Sequence, residues 1–262
     1  MAGAIAELAK TALTRDFKCI DTKYLRILLI EAGNTALSAF PEELSSYAVK
    51  ALRTLGVEVH LGRPVKAITD SGIMLGNTWI ASSSVIWCAG TQARPAATWI
   101  DAEAARNKAI KVNEDCSVPG HPEIFAIGDV ASYQIGLNRP LPGIAPVAKQ
   151  QGGYVAKVIL ARIQGIPHVP PFKYRNWGSM AVIGRSHAVA DFGKIRLKGF
   201  TGWLAWSLVH LMLLIDFRSR SSVYLNWSWA WFTRGRSARL LTGVIRKRHV
   251  TIDTDHLAES KN

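Results

Sequence analysis

Apolar residues recur along the chain with two periods, and their alternation lays out the elements. Residues 2–14 carry apolar and small side chains at helical spacing, with Ala2, Gly3, Ala4 and Ala6 crowded at one end, and predict a helix. LRILLIEAG (25–33) is a continuous apolar run closed by an acid, the pattern of a strand buried on both faces of a parallel sheet. PEELSSYAVKALRTLG (41–56) returns to helical spacing and stops at Gly56. VEVHLGRPVKAIT (57–69) and SGIMLGNTWI (71–80) alternate like an antiparallel meander. SSVIWCAGTQARP (83–95) predicts another buried strand running into a glycine turn. Beyond it come KAIKVNEDC (108–116), a PGHPE turn, a strand EIFAIGDVAS (123–132) and a helix over 145–165. Strand, helix, strand, meander, strand is half of a doubly wound nucleotide-binding domain.

A dinucleotide-binding unit opens with a strand and a GxGxxG turn, whose amides and following helix hold the pyrophosphate. Here the first predicted element is the helix that should follow such a turn. The expectation is therefore a later part of a longer protein.

Composition changes the picture at one place. The 262 residues are 48% hydrophobic and 19% charged, which fits a chain with a packed core. The net charge of +13 is unevenly spread. Residues 1–171 carry +3, residues 172–248 carry +12 with only two acids, and the tail 249–262 carries −2. Six of the nine tryptophans lie between Trp177 and Trp231. The shift marks a boundary near Pro170-Pro171. Three scattered cysteines (Cys19, Cys88, Cys116) form no CxxC or CxxxxC pair, so neither a redox disulfide nor a thiolate zinc site is indicated. Nothing resembling a signal peptide opens the chain.

Three segments carry candidate chemistry. Glu31 ends a predicted buried strand, where an acid accepts hydrogen bonds from an adenosine ribose; an ordinary strand-end acid reads the same way. Gly128 and Asp129 end an apolar strand. Glycine permits close backbone approach and Asp offers a carboxylate to a sugar-alcohol hydroxyl, although Asp129 in this place also suits the cap of the next helix. APVAKQQGGYVA (145–156) opens a helix whose N-terminal amides favour electron-rich groups such as a flavin edge or a quinone carbonyl; a plain amphipathic helix is the alternative.

Residues 199–217 are almost uncharged but shorter than a comfortable span. Arg218 and Arg220 follow, and SVYLNWSWAWFTRGRSARLL then interleaves aromatics with arginines. This pattern suits helices lying in a bilayer interface, with arginine heads on anionic lipid phosphates. A single crossing, or a buried helix pair at a dimer contact, are the other readings. The unbroken run Trp203–Ile215 argues against a nucleic-acid groove, and no His-carboxylate cluster suggests a metal.

MAGAIAELA, ILLIEAG, WCAG (87–90), EIFAIGDVA and APVAKQQG, in that order, make residues 1–248 resemble the two-dinucleotide-binding-domain flavoproteins of the pyridine nucleotide-disulfide oxidoreductase superfamily. The likeness is strongest to its type II, non-proton-pumping NADH dehydrogenases. The resemblance implies an α/β fold: partial doubly wound nucleotide-binding domains with a meander insertion, then a C-terminal membrane-associated helical segment. It implies FAD and NADH as cofactors, a quinone as electron acceptor and no nucleic-acid partner. It also implies residence as a peripheral protein on the cytoplasmic face of the cell inner membrane, with a homodimer as one assembly.

By that resemblance Met1–Leu8 are similar to the helix after the NADH-binding glycine loop, and Glu31 to the adenosine-ribose acid. Ala89 and Gly90 match the turn beside the nicotinamide nucleotide, and Gly128 and Asp129 the flavin-binding pair. Ala148, Lys149, Gln150 and Gln151 match the segment beside the isoalloxazine and quinone, the last three as its reactive surroundings. Family members often have AQxAxQ there, whereas this chain has Pro146 in place of the first Gln. The implied organisation is 1–95 as an incomplete NAD(H)-binding domain, 96–171 as the returning part of an FAD-binding domain, 172–248 as a basic, Trp-rich anchor, and 249–262 as a tail. The rival readings are a non-catalytic membrane-associated fragment of such an enzyme and a soluble relative such as a ferredoxin or monodehydroascorbate reductase.

Overall fold

The computed structural model describes residues 1–13, 24–166, 168–214 and 216–233. Cys19, the arginines at 234, 236 and 239, and the tail 249–262 lie outside the described residues. The chain forms two compact units, one of residues 1–65 with 179–262 and the other of residues 66–178.

The first unit starts with helix α1 (Ala2–Leu8), which continues into one wider π turn over Ala9–Leu13. Strand β1 (Ile27–Ile30), helix α2 (Glu42–Thr54) and strand β2 (Val57–His60) follow. Two acids, Glu42 and Glu43, in the first turn of α2 complement its dipole. Leu44, Ala48, Ala51 and Leu52 recur at helical spacing and are buried. Gly56, at φ +85°, stops the helix and turns the chain into β2. β1 and β2 pair in parallel, from Ile27 opposite Val57 to Ile30 opposite His60. Residues 57–60 therefore do not open the predicted meander. A helix joining two strands places them side by side and parallel, which alternation within VEVH alone does not encode.

The same unit contains an antiparallel sheet of β10 (Ser179–Gly184), β11 (His187–Asp191) and β12 (Arg196–Gly199), in that order. Helices α5 (Phe200–Leu213) and α6 (Phe217–Thr233) come next. Two glycines set how closely helices approach this sheet. A Cβ on Gly3 would lie 1.9 Å from the Ile183 carbonyl oxygen, and one on Gly202 would lie 2.6 Å from that of Ala188. Between these contacts Ala6, Leu44, Ala48, Ala51, Leu52, Val57, Ile183 and Val189 form one core.

The second unit begins with the meander of β3 (Val65–Thr69), β4 (Gly72–Leu75) and β5 (Thr78–Ala81). After a short helix α3 (Ala96–Trp99), β6 (Ile110–Lys111) pairs in parallel with β9 (Ala131–Ser132). Between them β7 (Ser117–Val118) and β8 (His121–Phe125) form an antiparallel hairpin. Helix α4 (Ala145–Ile163) packs Val155 into a core with Ile110, Val112, Cys116, Val118 and Tyr133.

Two expectations change here. Residues 83–95 form no strand, and Val85, Ile86 and Trp87 are exposed. An apolar run becomes a strand only where neighbours accept its backbone hydrogen bonds, and no sheet of the described residues includes it. The strand expected over 123–132 is broken: β8 ends at Phe125, Gly128–Val130 form a 3-10 turn, and β9 begins at Ala131.

Asp115 fastens α4 to the β-hairpin. Its carboxylate accepts the amide and hydroxyl of Ser117 and a bond from Arg162, whose guanidinium also lies 4.9 Å over the Phe125 ring. Burial pushes this carboxyl up, but the Ser117 bonds and the Arg162 charge outweigh it and hold the group below its ordinary value.

Two tests follow from this packing. Gly202→Ala should lower stability by roughly 2 kcal/mol, because the methyl meets backbone that cannot yield. Gly153→Ala, where nothing lies within 4 Å in mid-helix, should raise it by roughly 0.5–1 kcal/mol. Thermal melts followed by circular dichroism give both values. The depressed Asp115 contributes stability that is complete above the ordinary carboxylate range, about pH 4, and lost as pH falls through the folded value. Asp115→Asn should therefore cost about 1 kcal/mol at pH 7 and show a weaker loss of stability in acid, measured by urea titration across pH.

Candidate functional site

The second unit brings the start of α4 against the turn after β8. Ile127 is extended, and Gly128 then takes φ +66°, a conformation that costs a residue with a side chain. The Gly128 amide donates to Gln151 Oε1 at 2.7 Å. A Cβ on Gly128 would lie 3.1 Å from Cβ of Ala148. The glycine is thus needed both for the turn and for the approach of α4.

Asp129, next in the chain, is exposed, and its carboxylate makes no hydrogen bond among the described residues. It caps no helix: the 3-10 turn has no side-chain cap, and α4 starts at Ala145 after Ile144, also without one. Gly143 leaves room beside the carboxylate, since a Cβ there would stand 3.0 Å from Asp129 Oδ1.

The four adjacent residues of α4 have four separate placements. Ala148 touches the glycine, and Lys149 faces solvent. Gln150 closes a two-bond pair with Arg175, its Nε2 donating to the Arg175 carbonyl and its Oε1 accepting the Arg175 amide, both at 3.0 Å. Gln151 is 1% exposed. The helix start offers few free amides, because Pro146 has no N–H and the Val147 and Ala148 amides donate to the Ile144 carbonyl.

Ala89 and Gly90 lie in the same unit, exposed, with Gly90 at φ +99° and nothing within 4 Å of where its Cβ would be. Glu31 lies in the other unit, just past β1. Its amide donates to the His60 carbonyl, and its Oε1 accepts the Gly33 amide at 2.8 Å. That bond curls the chain at the carboxyl end of two parallel strands, where ligands of open α/β sheets bind.

Helices α5 and α6 form a capped hairpin. Asp216 accepts the Ser219 amide and hydroxyl at the start of α6, and the Ser219 amide bond chiefly holds its carboxyl below the ordinary value. Arg220 donates to the Leu214 and Met212 carbonyls at the end of α5, so its guanidinium is engaged, whereas Arg218 is exposed. Trp206 stacks on Trp227 with centroids 5.4 Å apart. Phe200, Leu204, Leu208 and Met212, each four residues from the next, are exposed along one face of α5. No helix among the described residues is long and apolar enough to cross a membrane.

Sequence reasoning did not foresee the bonds of Gln150, Gln151 and Arg220. One signal was present for Gln151: it falls in the stripe Val147, Gln151, Val155, Val158, at positions otherwise apolar.

Parallel strands joined by a helix in the first unit, and a glycine turn braced by a helix in the second, are the local features of a nucleotide-binding α/β fold. Residues 1–152 match the family of pyridine nucleotide-disulphide oxidoreductases, and 177–237 match the NDH2 C-terminal domain. The chain belongs to the pyridine nucleotide-disulphide oxidoreductase family, and within it to the type II NADH dehydrogenase group. It is 34% identical over 253 residues to a type II NADH:quinone oxidoreductase of Mycobacterium tuberculosis, covering 92% of this chain and 54% of that protein. It is 30% identical over 222 residues to an internal alternative NAD(P)H-ubiquinone oxidoreductase of Solanum tuberosum mitochondria, covering 78% of this chain and 44% of that protein. The fold matches that of NDH2 from Plasmodium falciparum in complex with NADH, with a TM-score of 0.75 at 20% identity over 88% of this chain and 63% of that one. The chain spans about half the length of the curated relatives it matches.

Of the two described cysteines, Cys88 is exposed and Cys116 is buried, its thiol pushed up to about 12 chiefly by burial. At pH 8 only about one Cys116 in ten thousand is thiolate, so iodoacetamide should modify Cys88 and spare Cys116 until urea unfolds the chain. Peptide mass spectrometry reads the outcome.

Proposed function

We propose that this chain is part of a flavin-dependent enzyme that passes electrons from NADH through FAD to a quinone, without pumping protons. The observation that carries the proposal is the Gly128–Asp129 turn, which is braced by α4 and leaves an exposed carboxylate with no partner among the described residues. FAD, when bound, supplies the two-electron carrier for hydride oxidation and quinone reduction.

The chain's own residues bind and orient. Asp129 accepts hydrogen bonds from the polyol of the flavin side chain, an interaction strengthened by its charge. Gly128 and Ala148 shape the wall beside it, Lys149 presents a cation at the start of α4, and Gln150 ties that helix to Arg175. Glu31, with one oxygen held by Gly33, has its other oxygen for a ribose hydroxyl of NADH and disfavours a 2′-phosphate by charge. Ala89 and Gly90 give an exposed backbone for the nicotinamide nucleotide. The α5–α6 hairpin docks on an anionic membrane surface through its apolar face, with Arg218 in reach of lipid phosphates, on the membrane in which quinone is dissolved. In this reading residues 172–248 act as the anchor and the protein sits at the cytoplasmic face of the membrane.

The test is flavin and membrane binding by the purified chain. The expected result is a yellow flavin complex, with Asp129→Asn weakening FAD binding about tenfold by loss of one charged hydrogen bond while circular dichroism is unchanged. Cosedimentation should occur with vesicles containing phosphatidylglycerol and fall with Leu204→Asn/Leu208→Asn. Equal FAD affinity in Asp129→Asn would remove the role given to that carboxylate.

A further inference from the structure

We propose that Gln151 acts as the positioning residue of the Gly128–Asp129 turn, setting the direction of the Asp129 carboxylate without touching the cofactor itself. This inference rests on the reading of the turn as a flavin site.

Gln151 is a neutral polar side chain, 1% exposed, in a stripe otherwise made of Val147, Val155 and Val158. Burying an amide among apolar side chains is unfavourable unless its polar atoms are satisfied. The bond made by its oxygen is specific: Oε1 accepts the Gly128 amide at 2.7 Å, across 23 residues of sequence. That amide lies at the residue whose φ of +66° turns the chain out of β8 and toward Asp129. Without the acceptor the Gly128 amide would be left unpaired beside α4, and glycine, the freest of residues, would have little to hold it in one conformation.

Ala148 supports the turn from one helical turn earlier, with its Cβ 3.1 Å from where a Gly128 Cβ would stand. Contact and hydrogen bond together fix the turn against α4 at two points. Asp129 has no bond of its own among the described residues to aim it. Its direction is set by the backbone conformation at 128, and that conformation is held by Gln151. Lys149 and Gln150, adjacent in sequence, have no such bond to the turn: one faces solvent and the other holds Arg175.

The role requires an acceptor at this place and not a donor, so glutamate should serve and methionine or asparagine should not. Glutamate, charged or protonated, keeps a lone pair in reach of the Gly128 amide. Methionine keeps the volume without a strong acceptor, and asparagine keeps the amide but is one methylene too short. The experiment compares wild type, Q151M, Q151N and Q151E, each checked for folding by circular dichroism, with two readouts on the purified chain. One is hydrogen exchange of the Gly128 amide measured by NMR without cofactor. The other is FAD affinity by fluorescence titration.

We expect exchange at Gly128 to quicken about tenfold or more, and FAD affinity to fall about tenfold, in Q151M and Q151N, the size expected for loss of one buried hydrogen bond. Q151E should stay within about threefold of wild type in both. Should one loss variant fail to fold, the other carries the comparison. Unchanged exchange in the folded loss variants overturns the proposal. So does a Q151E that keeps slow exchange but loses FAD affinity, for Gln151 would then be a direct contact. If wild type itself takes up no FAD, the flavin reading fails, and the exchange comparison alone decides whether Gln151 holds the turn.

Discussion

One hydrogen bond, between a buried side-chain amide and a left-handed glycine, ties α4 to the turn after β8. Gln151 reaches from the interior face of α4 to the Gly128 amide, and the residue after that glycine, Asp129, is exposed with no hydrogen bond among the described residues. On its helix side Ala148, Gln150 and Gln151 each make a contact elsewhere in the unit. In the proposed reading Asp129 meets the ligand, while the residues around it hold its place.

The same division of labour recurs in the first unit. Glu31 uses one carboxylate oxygen to curl the chain at the end of β1 and leaves the other open. In the α5–α6 hairpin, Arg220 and Asp216 satisfy helix ends, so these charges maintain the turn, and Arg218 remains exposed. The sequence pattern of arginines among aromatics suits a lipid surface without separating Arg218 from Arg220. The hydrogen bonds separate them: Arg220 builds the hairpin and Arg218 faces outward.

Much of the helical structure was legible from spacing. The stripe of Leu44, Ala48, Ala51 and Leu52 with its glycine stop predicted α2 within two residues at each end, and α4 was read to a similar margin. Strands were less legible, because a strand is defined by its partner. Residues 57–60 pair in parallel with β1, which local alternation does not record. The apolar run at 83–95 has a strand's composition and lies exposed outside every described sheet. EIFAIGDVAS looked continuous, yet Gly128 bends it through a hydrogen bond to a residue 23 positions away.

By itself the amino-acid sequence determined the family-level pattern: an acid closing ILLI, a Gly-Asp pair after an apolar strand, a polar-rich helix start, and a basic, Trp-rich final third. These are local features, carried by residue type and short spacing. Only the tertiary structure decided that β10 and β11 return to pack against α1 and α2, that Gln150 and Gln151 hold backbone, and that Asp129 caps no helix and makes no hydrogen bond among the described residues. The physical reason is that a side chain's role is set by the donors and acceptors the fold brings within about 3 Å of it, and those are contributed by distant segments.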